Sequence, residues 1–173
     1  MSHDSPHPLC SNSAGGLLYR DTMKSLLIVY HSQSGASAQL ARSAWRGASA
    51  EPGVEVAVRR AWDAGTLDLQ QSDGVLLVTA ENSGALSGAV KDFLDRTFYP
   101  AIERGLVMPH ALLVSAGNDG RGAVRQAQRI FSGYPFPAAT EPVILRGEVT
   151  PAHLQAAEEL GLAFAAGLVM GIF

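Results

Sequence analysis

Three serines bracket one glycine in the stretch Ser32-Gln33-Ser34-Gly35-Ala36-Ser37. An apolar run, Leu26 to Tyr30, precedes it, and helical spacing begins near Ala38. A tight strand-to-helix turn of this composition points hydroxyls and unpaired backbone N–H groups at one spot. The helix start adds a partial positive charge there, worth roughly 0.3–1 kcal/mol to an anion at an exposed site. The chemistry on offer is phosphate binding. Alone, the motif reads equally well as a capped strand-to-helix connection, because short motifs match by chance.

Other reactive groupings are missing. The phosphate loop Gly-x4-Gly-Lys-Ser/Thr is absent, and Gly-x-Gly-x-x-Gly does not follow the first strand. Ser34 and Ser87 sit near glycines, but neither lies in the Gly-x-Ser-x-Gly of a hydrolase elbow. The histidines (His3, His7, His31, His110, His153) form no His-Glu-x-x-His, and no cysteine pair joins them, so no zinc ligand set is expected. His31 reads as structural. Glu81 reads as a solvated loop charge, and Lys91, Asp92, Asp95 and Arg96 as a solvated helix face with local ion pairs.

The elements that must position the serine turn follow from apolar spacing. Ser25 to Tyr30 is a continuous apolar strand, as expected when both faces are covered. Leu40, Ala41, Ala44, Trp45 and Ala48 give a first helix, stopped by Glu51-Pro52-Gly53. Val54 to Val58 alternates and predicts a second strand; a short helix is expected within 59–72. Asp73 to Thr79 is a third, buried strand, followed by a polar loop, Ala80 to Leu86. Ser87 is the expected N-cap of a helix with Val90, Phe93, Leu94, Thr97 and Phe98 on one face. Pro100 is expected to kink or break it.

His110 to Ser115 is a fourth strand, Gly117 to Gly120 a turn, and Ala123 to Phe131 a helix with Val124, Ala127 and Phe131 inward. After a proline-rich loop, Val143 to Leu145 is a fifth strand. Thr150 caps a last helix with Pro151 at its first position. That helix turns Leu154, Ala157, Gly161, Phe164 and Leu168 inward. Its apolar end, Leu160 to Phe173, is shorter than the ~20 residues a bilayer needs. Strands alternating with helices predict an α/β fold, a doubly wound five-stranded parallel sheet with helices on both faces.

The chain has 173 residues, 47% of them hydrophobic, which suits one domain and excludes a disordered chain. A net charge of −3 carries no basic excess, so nucleic acid is not an expected partner. Residues 1–22 lack apolar periodicity and lack the basic-then-apolar pattern of a secretory signal, and read as a flexible extension ahead of a domain over 23–173. Met23 is an alternative start. Cys10 has no partner for an internal disulfide, which agrees with a reducing, cytoplasmic setting.

In such a sheet, ligands sit outside the carboxyl ends of the strands, where strand order reverses. The loops Ser32–Ser37, Ala80–Leu86 and Ser115–Gly120 then share one rim, and none contains Lys or Arg. A ligand there is held by backbone amides and hydroxyls.

With its glycine and hydroxyl spacing, Ser32-x-Ser34-Gly35-x-Ser37 resembles the FMN phosphate loop of the flavodoxin superfamily. Thr79 to Gly84, with the helix Leu86 to Arg96 after it, is similar to the flavin-ring loop of that superfamily. The nearest resemblance is to the flavodoxin-like NAD(P)H-dependent FMN and quinone reductases, over about residues 23–173. It implies strand order 2-1-3-4-5 and non-covalent FMN. Ser32, Gln33, Ser34, Gly35, Ala36 and Ser37 would hold the phosphate. Ala80, Glu81, Asn82, Ser83 and Gly84 would line the ring edge, and Ser115, Gly117, Asn118 and Gly120 would close the third side. The chain departs from the pattern at Ala36, where a polar residue is common, and in the second loop, which lacks the usual aromatic. Trp62, Phe98, Tyr99 and Tyr134 are the candidate aromatics to replace it.

The function this implies is transfer of electrons from NAD(P)H to a quinone, a flavin or a similar acceptor, small molecule or redox protein, with the flavin doing the chemistry. No catalytic side chain is assigned. An electron carrier is the alternative within the class, although the net charge outside the first 22 residues is only −2. A non-enzymatic interaction module that has lost flavin is the alternative outside it. Phe98-Tyr99-Pro100 and Gly133 to Pro137 are apolar segments that could serve a homo-oligomer.

Overall fold

A computed structural model describes residues 23–173. The expected extension over residues 1–22, with Cys10, His3 and His7, lies outside the described residues. The elements are β1 (Lys24–Tyr30), α1 (Ala36–Ser49), β2 (Val54–Arg60), α2 (Thr66–Gln70), β3 (Gly74–Asn82), β4 (Ala85–Leu86), α3 (Gly88–Glu103), β5 (His110–Ala116), α4 (Arg121–Phe131), β6 (Val143–Arg146) and α5 (Pro151–Met170). The parallel sheet has the order β2-β1-β3-β5-β6, and β4 pairs antiparallel with β3. Without the short β4, this is the expected order of five parallel strands. The chain order reverses beside β1, between β2 and β3, so the β1 end opens on the crevice.

Alternation along each central strand divides the core. Leu27, Val29, Val75, Leu77, Leu112 and Val114 point to the face covered by α3 and α4. Leu26, Ile28, Leu76, Val78, Ala111 and Leu113 point to the face covered by α1 and α5. With both faces buried, the strands read as the unbroken apolar runs seen in the sequence. Helices α1 and α5 touch backbone to backbone: a Cβ added at Gly47 would lie 1.8 Å from the Glu158 carbonyl oxygen, and one at Gly161 2.0 Å from that of Ala44. This contact fixes the axis of α1, and so the place where its first turn meets the sheet edge. As expected, Thr150 caps α5, its Oγ1 accepting from the His153 N–H at 3.2 Å. Among the described residues no helix is long and apolar enough to cross a membrane.

Four expectations are corrected. The region Ala80 to Leu86 is not a loop: β3 runs on to Asn82 and turns back as β4. Ser83 (φ 51°) and Gly84 (φ 76°) are both left-handed, the requirement of a two-residue hairpin turn that follows strand twist. Ser87 stands at the α3 N-cap, but its hydroxyl makes no cap bond and instead pairs with Thr79 Oγ1 at 3.0 Å, fully buried. Pro100 lies inside α3 without breaking it. It falls in the last turn and forfeits only the bond its N–H would make to the Arg96 carbonyl. Finally, α4 begins at Arg121, two residues early.

The expected helix-face pairs are present, Lys91 with Asp95 and Arg96 with Asp92, both at 2.6 Å. Of the apolar segments considered for an interface, Tyr134 and Phe136 are core residues and Phe98 packs against them, whereas Tyr99 is exposed.

Candidate functional site

The crevice at the strand ends is built around the start of α1. Gly35 occupies its N-cap in the left-handed region (φ 96°), and no side chain caps the helix. The Ser32 hydroxyl accepts the Gly35 N–H at 3.0 Å, which closes the turn on itself. Ser37 is only 1% exposed, and its Oγ has no hydrogen-bond partner. A buried hydroxyl without a partner costs roughly 1–3 kcal/mol in proteins, so it marks a place where a partner is missing.

The start of α4 at this edge is closed from within the chain. Glu81, on β3, reaches across to α4: Oε1 accepts the Gly120 N–H at 3.2 Å and Oε2 the Ala123 N–H at 3.0 Å. The Asp119 carboxylate takes the Arg121 N–H at 2.9 Å. Glu81 is therefore a capping group that ties β3 to α4, not a solvated charge. The Gln126 side-chain carbonyl accepts the Leu86 N–H at 2.8 Å, which fastens the hairpin to the same helix. At α3 no side chain caps the first turn either; Leu86, Ser87 and Ala89 are buried and Gly88 is exposed. Among the described residues, only α1 combines an uncapped first turn with an unpartnered buried hydroxyl.

From α1 a cleft of about 690 Å³ runs along the strand ends. Ser34 and Ala36 form its near wall; Ala80, Glu81 and Asn82 the β3 wall; Ser115, Ala116 and Gly117 the β5 wall; Gly147, Glu148 and Val149 the far end. This size suits a mononucleotide-class ligand. The three expected loops thus meet at one edge. Asn82 Nδ2 also approaches Gln33 Oε1 at 3.5 Å, linking two of them. Of the expected site residues, Ser32, Gln33, Gly35, Ser37, Ser83, Gly84, Asn118 and Gly120 do not line this cleft. Ser83 and Gly84 form the hairpin turn, and Gly120 is buried at the α4 cap.

The far wall of 147–149 and Gln39 on α1 are residues sequence reasoning missed. The signal for the far wall was faint: Gly147 directly after a strand, taking its place on the same rim.

Among the described residues, no aromatic lines the large cleft. Of the four considered, Phe98 and Tyr134 pack edge to face on the α3–α4 side, with Tyr99 against Phe98. The Tyr134 hydroxyl donates to the Leu94 carbonyl at 2.5 Å, and burial pushes its pKa up to about 12. Trp62 follows β2 and lies edge-on to His31, with ring centroids 6.1 Å apart. It reaches the other flank of the serine loop, not the cleft.

The fold defines a flavodoxin-like α/β protein with an open crevice at the end of its first strand. Three solved structures share the fold. A flavodoxin from the domain Archaea has 18% identity and a TM-score of 0.72, with 83% of this chain and 98% of that one covered. A flavodoxin, WrbA-like protein from Agrobacterium tumefaciens has 15% identity and a TM-score of 0.69 over 85% and 98%. The Flv1 flavodiiron core from Synechocystis sp. PCC6803 has 20% identity and a TM-score of 0.74; 88% of this chain matches 38% of that longer one. No curated protein matches the sequence.

The chain belongs to the NADPH-dependent FMN reductase family, whose sequence pattern matches residues 57–144, just over half its length. It is thus a member of a group of flavin-binding, flavodoxin-like oxidoreductases that use FMN and NAD(P)H. The matched span covers the hairpin and the β5–α4 turn and begins after the serine loop, so the two lines of argument are independent.

Proposed function

We propose that this chain holds FMN non-covalently and passes electrons from NAD(P)H to a quinone, a second flavin or a similar acceptor in the cytoplasm. The phosphate sits in Ser32 to Ser37, and the ring lies in the cleft between Ala80–Asn82 and Ser115–Gly117. The observation that carries this is the open start of α1 with its buried, unpartnered Ser37 hydroxyl. The donor set fits a phosphate: free first-turn N–H groups, a hydroxyl in need of a partner, and a favourable helix dipole.

The flavin, when bound, supplies the hydride and electron chemistry. The residues of the chain bind and orient. The first turn of α1 fixes the phosphate end. The β3 strand end is held rigid by Glu81 and Gln126 through α4, so the ring edge meets a set wall. Ser115 offers a hydroxyl and Gly117 a bare backbone at the opposite wall. The ionisable residues lining the cleft are Glu81 and Glu148, and both Glu81 oxygens are already engaged. No side chain here is assigned as a proton donor or acceptor.

Titration of the purified protein with FMN, followed by flavin fluorescence, tests the reading. Saturable quenching with NAD(P)H oxidation in the presence of a quinone is the expected result, and no binding at high FMN overturns it. Binding without NAD(P)H oxidation would mark an electron carrier. A flavin-free interaction module is favoured by one observation, the lack of an aromatic in the cleft. Its signature is a melting temperature that FMN does not move.

A further inference from the structure

The serine loop has two flanks. Ser34 and Ala36 face the large cleft, whereas Ser32, Gln33 and Gly35 face a second one, of about 320 Å³, on the β2 side. Its outer wall is Arg60, Trp62 and His31. The indole of Trp62 is 60% exposed and touches no aromatic ring but His31 among the described residues. Among the described residues Arg60 makes no ion pair, unlike Arg59, which is tied to Asp68 at 3.2 Å. The Tyr30 phenol beside Arg60 pushes its pKa up. His31 Nδ1 is buried with no partner. No carboxylate lines this second cleft, while Glu81 and Glu148 line the first. A further phosphate beyond the one in the loop is therefore drawn to the Arg60 side.

A broad aromatic surface and a forked cation beside a phosphate loop form a set that nucleotides use: stacking for the base, Arg for the phosphate. We propose that this second cleft binds the adenylate half of a dinucleotide, with Trp62 against the purine and Arg60 on its phosphate. The proposal rests on the reading of Ser32 to Ser37 as a phosphate site. The adenylate belongs either to a flavin dinucleotide used as cofactor or to the pyridine-nucleotide donor.

AMP is the probe, measured by calorimetry on the full chain beside FMN, FAD and, after FMN loading, NADP+. Trp62→Ala and Arg60→Gln are the variants. Both residues are exposed, so melting temperatures should not change, and FMN affinity should stay within about twofold. Each variant is expected to weaken AMP roughly tenfold. An FAD preference over FMN that Trp62→Ala abolishes identifies the cofactor as the source. Equal FAD and FMN binding, with NADP+ weakened in Trp62→Ala, identifies the donor. The proposal is overturned if AMP does not bind, or binds with no dependence on Trp62 and Arg60. Failure of FMN alone to bind strikes the phosphate-loop reading instead, and AMP reports separately.

Discussion

Replacing Ser37 by alanine should move stability and affinity in opposite directions. The hydroxyl is buried and unpartnered. Its removal relieves a penalty of about 1–3 kcal/mol, less a small loss of packing. The ligand-free variant should therefore gain about 1 kcal/mol, or roughly 2–4 °C for a domain of this size. With FMN the sign reverses. One hydrogen bond to a charged phosphate contributes about 1.5–3 kcal/mol, so Kd should rise at least tenfold. At FMN a hundred times the wild-type Kd, ligand adds about 2.7 kcal/mol to the wild type but only about 1.4 to a variant bound tenfold more weakly. Paired melts with and without FMN read both effects. Ser37→Thr keeps the hydroxyl and should restore affinity, which separates the bond from the better helix propensity of alanine. The reasoning is refuted if Ser37→Ala lowers the ligand-free melt while leaving Kd within twofold.

Glu81→Ala strands the Gly120 and Ala123 N–H groups at the start of α4 and should cost about 2–3 kcal/mol by urea unfolding, with weaker flavin binding; Glu81→Gln, which keeps one acceptor, should cost about half as much. Ser83→Asn suits the left-handed first position of the hairpin turn, beside Gly84, and should raise stability by about 0.5 kcal/mol in the same assay. Burial pushes the His110 pKa below 6.5; its Nδ1 meets the Phe136 carbonyl at 2.9 Å and its ring stacks on Phe131. The unfolded chain then takes the proton first, so this contribution is complete above about pH 6.5 and is lost as pH falls through the lowered value. Urea midpoints from pH 8 to pH 5 should fall more steeply for the wild type than for His110→Gln.

The parts of the fold that were legible in the sequence are those with one dominant cause. Strands buried on both faces must be apolar runs, and Leu26 to Val29 and Val75 to Val78 are such runs. Thr150-Pro151 at the start of α5 is a local signal with a local result. The misreadings fall where a distant partner decides. The segment Ala80–Leu86 is polar and short, and reads as a loop until α4 supplies Glu81 and Leu86 with their partners. The Ser87 hydroxyl had two acceptable uses, and burial against Thr79 prevailed over capping. Trp62 follows β2 at one edge of the sheet, whereas Phe98 and Tyr134 pack beyond β3 on the same face, so strand order separates them, which composition does not record.

The arrangement of helix starts ties these observations to the site. Each helix start leaves orphan N–H groups that need an acceptor. This chain provides its own at α4 through Glu81 and Asp119, and at α5 through Thr150. At α1, where strand order reverses, it provides glycine at the N-cap and a serine hydroxyl with nothing to bind. The left-handed backbone of Gly35 (φ 96°) disfavours any side chain there, so no Asp, Ser or Thr cap occupies the space beside the first turn of α1. Closing α4 with a carboxylate from β3 makes that helix a poor anion site and stiffens the wall beside the ring. Of the two uncapped starts, α1 and α3, only α1 carries an unpartnered buried hydroxyl among the described residues, and a cleft lies on either flank of its loop.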